Sequence, residues 1–331
     1  MSQPPVVLGL DFGGTKIAMM VCEPSGERLA SSTVASGGEL GARASFERGI
    51  QAARALLADA AADRDLAAVG VSTFGIPFDD RVELAPAISG WDKLAFGDEL
   101  RAAFPGVRVV MATDAKAAAQ AEVRWGALAD CDPAIYLNLG TGLSAAIVAG
   151  GQVLGGGNGA AGEIGYNLRA TTDVGVPLAA RTPLEDMISG RALVQRAASQ
   201  LAQGRPIEAG EVFEASRDDA DLDRLVTDFV TELAFHVVNL AICVNPVRIA
   251  VGGGMVRSWD RLRPGLSHAL SAGVPFPPEL VAARFPSDAP LIGAVALAMD
   301  AALAGAAAHP VADGGHPVSF PPITLSEGLP S

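Results

Sequence analysis

Residues 6–22 read "VVLGLDFGGTKIAMMVC". An apolar run ends in Asp11, passes through Gly13 and Gly14, and resumes as a second apolar run from Ile17. Two strand-like runs joined by a short glycine turn form a hairpin. A Pro-Ser-Gly turn, Pro24 to Gly26, then leads into a third strand pattern ending near Val34. The same order returns at residues 133–156, "PAIYLNLGTGLSAAIVAGGQVLGG": strand, glycine turn, strand, turn, strand. An α/β chain carrying two copies of one meander implies two related domains with a cleft between them.

The remaining pattern fits that plan. Helical spacing covers 43–66, 93–105, 115–128, 222–244 and 290–305, and apolar strand patterns cover 67–75, 107–115 and 247–252. From about Ala308 the chain turns aperiodic and rich in Pro and Gly, so residues 307–331 read as a disordered tail. Half of the 331 residues are hydrophobic but only 5% are aromatic, so the core is expected to consist of Ala, Val, Leu and Ile. Net charge is 24 − 37 = −13. A surface that acidic repels phosphate backbones and anionic lipid, which argues against nucleic-acid or membrane-surface partners. Any phosphate must therefore be held by backbone N–H groups, a metal ion and a few cations. The three cysteines, Cys22, Cys131 and Cys243, form no CxxC pair and suit a reducing cytosol. With no secretory leader pattern at the N-terminus, a cytoplasmic protein is expected.

Three glycine turns follow strands. In "DFGGTK", Gly13 and Gly14 let backbone N–H groups approach an anion, Thr15 and Lys16 add a hydroxyl and a cation, and Asp11 is placed to hold Mg2+ through water. "LGTG", with Gly140, Thr141 and Gly142, stands at the equivalent place in the second meander. "VGGG" adds Gly252, Gly253 and Gly254, against which a flat ring such as adenine can lie. Each turn alone also suits a tight connection; together they point to a polyphosphate clamped from both sides. Asp114 ends a strand and opens an Ala-rich helix, so it is either a helix cap or a carboxylate that orients an attacking hydroxyl. Thr113 and Lys116 flank it, the lysine reading as a solvated side chain. In "GAAGEIGYNLR", residues 159–169, Glu163 and Tyr166 stand among small residues and are candidates to receive a diol. The alternative is that Glu163 caps the next segment.

The two phosphate motifs, the Asp114 segment, the Gly-Glu-Ile-Gly loop and the triple glycine appear in the order of the ROK family of repressors, open reading frames and sugar kinases. The chain resembles that family, within the actin-like ATPase superfamily, from about Val7 to about Leu303. The resemblance implies two ribonuclease-H-like α/β domains around an ATP–sugar cleft. They would comprise residues 1–112 plus about 291–306, and 113–290. It also implies ATP-dependent phosphorylation of the primary hydroxyl of a hexose-like polyol, with Asp114 as base. Glu163 and Glu185 match the family's sugar-binding carboxylates, and Gly75, Thr113 and Tyr166 are further candidates on the substrate side. Family members are commonly homodimers. Where the family usually has Asn, His and a polar residue, this chain has Thr113, Tyr166 and Ala87. No His precedes His236 and no Cys lies between Cys131 and Cys243, so no Cys/His zinc site is expected there. The loop between Glu163 and Glu185 is then expected to be held by packing, with Tyr166 in the imidazole's place.

These departures remove hydrogen-bond partners for ring hydroxyls and leave the substrate open among a hexose, an amino sugar and a carbocyclic analogue such as a C7-cyclitol. Two other functions fit the sequence less well. A repressor of this kind carries a helix-turn-helix before the first phosphate motif, where only Met1 to Leu10 stand. A catalytically silent sugar-binding regulator is opposed by the retention of Asp11, Asp114 and all three turns.

Overall fold

The computed structural model describes residues 3–201 and 205–307, except the side chains of 199–200 and 305–307. The first meander is β1 (Val6–Phe12), β2 (Lys16–Cys22) and β3 (Arg28–Ala35). Helix α1 (Ala42–Ala60) then leads to β4 (Leu66–Thr73) and a small hairpin of β5 (Ile76–Pro77) and β6 (Val82–Glu83). Helix α2 (Phe96–Ala103) and strand β7 (Arg108–Thr113) complete this part. The sheet order is β3-β2-β1-β4-β7, antiparallel within the meander and parallel across β1, β4 and β7. Its core departs from the aliphatic expectation. Phe12, Phe46, Trp91 and Phe96 form one aromatic knot, with Phe12 and Phe96 edge to face at 5.3 Å. This knot surrounds Phe12, the residue just before the first glycine turn.

Helix α3 (Asp114–Trp125) leads into the second meander, β8 (Ala134–Leu139), β9 (Leu143–Ala149) and β10 (Gln152–Val153). Beyond a long irregular stretch come α4 (Gly190–Leu201), α5 (Ala209–Ala215) and α6 (Ala220–Val244). Strand β11 (Arg248–Gly252), α7 (Trp259–Gly273), β12 (Glu279–Ala282) and α8 (Ala289–Ala307) complete the described chain. The second sheet, β10-β9-β8-β11-β12, repeats the first in order and strand direction. Its core is aliphatic, from Ile135 and Leu137 to Leu262 and Leu266, with Phe213 and Phe229 among them. The α4, α5, α7 and β12 elements have no counterpart among the sequence expectations. The tail assigned to 307–331 lies outside the described residues beyond Ala307, which still belongs to α8.

Helix α8 returns from the second sheet to pack on β1 and β4, and it also lies against α3. Glycines make this approach close. A Cβ at Gly70 would overlap the Ala294 carbonyl, and one at Gly293 would overlap the Ala117 carbonyl. Helix α6 is long and apolar enough to cross a bilayer by composition, yet its inner face is buried against the second core.

Candidate active site

Strand β1 is buried along its length and carries Asp11 to its carboxyl end, one residue before the glycine turn. From the neighbouring strand, Ser72 Oγ donates to Asp11 Oδ1 at 2.8 Å. Burial pushes this carboxyl up to about 6, with the Asp114 charge adding to the rise and Ser72 and Lys16 opposing it. The turn closes through the Gly13 N–H to the Lys16 carbonyl (2.9 Å). Ser36 clasps it, donating from Oγ to the Gly14 carbonyl (2.7 Å) and from N–H to the Thr15 carbonyl (2.9 Å). Gly14, Thr15 and Lys16 stay exposed. A cavity of about 490 Å3 opens on Gly14 and Thr15, lined also by Ser36, Arg48 and Ala87.

The helix-cap alternative for Asp114 falls to its neighbour. Thr113, buried and extended, is the cap: its Oγ1 accepts the Lys116 N–H at 3.3 Å. Asp114 is the first helical residue, and its Oδ1 accepts the Ala115 N–H at 2.7 Å. Burial raises its carboxyl above the usual range; Glu185 adds to the rise and Lys116 lowers it. Lys116 is not solvated as expected. Its side chain is 8% exposed, and Nζ lies 3.6 Å from Glu163 Oε1 with no hydrogen-bond partner. The surrounding Ala115, Ala117, Ala118 and Ala119 are all buried, so this helix has no solvent face at its first turn to receive a lysine.

Glu163 precedes a short helical turn, Ile164–Tyr166, yet its side chain makes no capping bond. Burial raises its carboxyl, and the charges of Asp114 and Glu185 raise it further against the opposing Lys116. Glu185 reaches back to the second meander, where Oε2 accepts the Leu143 N–H at 2.9 Å, while Arg191 Nη2 stands 3.4 Å from Oε1. Half-buried Tyr166 lies in the field of both acids. The loop that follows is held by arginines rather than by packing alone. Arg181 donates to the Tyr166 (2.7 Å) and Asn167 (3.2 Å) carbonyls, and Arg169 reaches Glu232. Val174 and Leu178 of the same loop are exposed.

The second turn is fixed by the start of α4. The Gly190 and Arg191 N–H groups donate to the Gly140 (2.9 Å) and Thr141 (3.3 Å) carbonyls, and Thr141 remains exposed. A Cβ at Gly142 would overlap Glu185 Oε2. The third turn leans on the second. Gly253 has φ +87 and a Cβ there would overlap the Leu139 carbonyl, while one at Gly252 would overlap the Tyr136 hydroxyl. Gly254 has open space. Gly75, φ +78, is required by its own turn, where a Cβ would stand 2.7 Å from the Glu83 carbonyl.

Asp11, Asp114, Glu163 and Glu185 thus share one electrostatic neighbourhood, with glycine turns from both sheets at its border. The sequence reading missed Ser72, Arg191 and Arg181 and misplaced Lys116. Only Lys116 left a trace in sequence: the one basic residue in the first turn of a helix that runs to alanine on either side of it after Asp114.

Comparison with known proteins matches residues 7–301 to the ROK family. A kanosamine kinase from Amycolatopsis mediterranei is 30% identical over 306 residues, 89% of this chain and 96% of the relative. A beta-glucoside kinase from Listeria monocytogenes is 29% identical over 255 residues, 75% of this chain and 82% of the relative. The crystal structure of a ROK family glucokinase from Streptomyces griseus, in complex with glucose and AMPPNP, has a TM-score of 0.71. It is 31% identical, the match covering 89% of this chain and 99% of that one. With a family match over nearly the whole described chain and the same fold in its relatives, this chain belongs to the ROK family.

Proposed function

We propose that this protein transfers the γ-phosphoryl group of ATP to the primary hydroxyl of a hexose or hexose-like polyol. One observation carries the reading: a half-buried carboxylate, Asp114, lies in the field of Asp11, beside the first sheet's glycine turn, and of Glu185, beside the second's. Phosphoryl transfer asks the protein chiefly to position groups and to balance charge. Asp114 accepts the hydroxyl proton; its raised affinity for protons, caused by burial, suits that role. Glu163, Glu185, Tyr166, Thr113 and Gly75 line the sugar side. The Gly13–Lys16 and Gly140–Gly142 turns hold the phosphates, and Gly252–Gly254 the nucleoside.

Asp11 fits Mg2+, which takes carboxylate oxygens and commonly keeps waters: the carboxylate is held in place by Ser72 at a strand end beside a phosphate turn. When bound, the ion neutralises charge on the transferred phosphate. Residues 1–112 with about 291–306 form the first lobe and 113–290 the second, a division that the packing of α8 on β1 and β4 supports. Helix α3 touches both, through α8 and through β8 and β9.

An amino sugar is the second reading. Asp114, Glu163 and Glu185 outnumber the two cations beside them, Lys116 and Arg191, which favours a cationic substituent, and a kanosamine kinase is among the relatives. ADP release measured across hexoses, amino hexoses and cyclitols with a CH2OH group decides between them. Asp114→Asn is expected to lower kcat about 10²–10⁴-fold with the ATP KM little changed. Equal rates for the variant and the wild type would refute the base assignment.

A further inference from the structure

Lys116 brings the only ammonium among the described residues into contact with this group of acids, and it does so from a position closed to solvent. Its Nζ has no hydrogen-bond partner and no solvent access, so it does not reach a substrate directly. An unpartnered buried ammonium is unfavourable, and burial accordingly lowers its hold on the proton. The groups facing it are few. Glu163 Oε1 stands at 3.6 Å on the loop across from it, Asp114 lies two residues back on its own helix, and Glu185 acts on both of those acids. Glu163 in turn lacks the capping bond that its place before the Ile164–Tyr166 turn would offer. Each of the two side chains is incomplete without the other.

We propose that Lys116 is a positioning residue for sugar recognition: its buried ammonium holds Glu163 in place, leaving the carboxylate's other oxygen to take a substrate hydroxyl. This rests on the phosphotransfer reading and deepens it. Lys116 acts through Glu163, so its removal matters only while that carboxylate is present.

The test is a double-mutant cycle in the full chain, using Mg-ATP and the polyol that turns over fastest. Lys116→Met is expected to raise the polyol KM about tenfold or more and to leave the ATP KM within about threefold, with a lowered melting temperature because Glu163 loses the cation that compensates its charge. Glu163→Gln is expected to raise the polyol KM as well. In the Glu163→Gln background, adding Lys116→Met should change it less than about twofold. Should Lys116→Met fail to fold, Lys116→Gln, which removes the charge and keeps polarity, carries the same cycle. Additive effects, or equal rises in both KM values, overturn the positioning role alone. Absence of polyol-dependent ADP release from the wild type across the panel overturns the kinase reading, and this one with it.

Discussion

Asp11 shows at the scale of one residue how a site can oppose its own fold. Its carboxyl binds a proton more tightly in the folded chain, at about 6, than its ordinary value of 3.8. The folded state therefore holds more protons between those values, and stability falls as pH rises through that window. At pH 7 the ionised, desolvated carboxylate weakens the nucleotide-free protein by up to about 3 kcal/mol, at 1.36 kcal/mol per pKa unit. Asp11→Asn keeps an acceptor for Ser72 and removes the charge. It should raise the melting temperature at pH 7 by a few degrees, with the gain shrinking toward zero near pH 4, as differential scanning calorimetry at both pH values would read. The same variant should lose phosphotransfer. An equal gain at both pH values would contradict the burial argument.

At the scale of elements, the second glycine turn is a joint of three pieces. The start of α4 holds its carbonyls, Glu185 holds the Leu143 N–H beyond it, and the third turn leans on Leu139. Gly142 leaves the room in which Glu185 lies. Gly142→Ala puts a methyl group where Glu185 Oε2 stands, and the flexible carboxylate gives way before the backbone does. Loss of that charge-assisted hydrogen bond is worth about 1.5–3 kcal/mol. The expected outcome is a folded protein whose sugar KM rises more than its ATP KM, read from initial rates at varied concentrations of each substrate. A larger effect on ATP would mean that the glycine serves phosphate approach instead. This joint was only half legible in sequence. The turn announces itself through its glycines, but Glu185 lies more than forty residues on and was matched through resemblance, with no local pattern tying it to Leu143.

At the scale of the whole molecule, α3 and α8 are the central contact. Helix α3 begins with Asp114, and α8 packs on it as well as on β1 and β4. Their backbones approach so closely at Gly293 that any side chain there meets the Ala117 carbonyl. Gly293→Ala must push the helices apart, at about 1–3 kcal/mol for overpacking. Because Ala117 lies one residue beyond Lys116, the shift should also disturb Asp114 and Glu163. Melting temperature and kcat are expected to fall together, with kcat measured well below the melting range. A lowered melting temperature with unchanged kcat would show that this contact supports the fold without setting the site.

The sequence by itself determined the two meanders, the three turns and the strand-end placement of Asp11 and Asp114. These follow from short-range rules: continuous apolar runs, the freedom of glycine, and the order of elements along the chain. It left α4, α5, α7 and β12 unread, and it sent Lys116 to solvent. Tertiary structure alone decided that lysine's burial and the arginine clasp on the 166–181 loop, while the return of α8 to the first sheet was implied only by the family resemblance. Each depends on what a side chain meets after distant segments have packed. A charge in an alanine helix carries no mark of which neighbour will close over it.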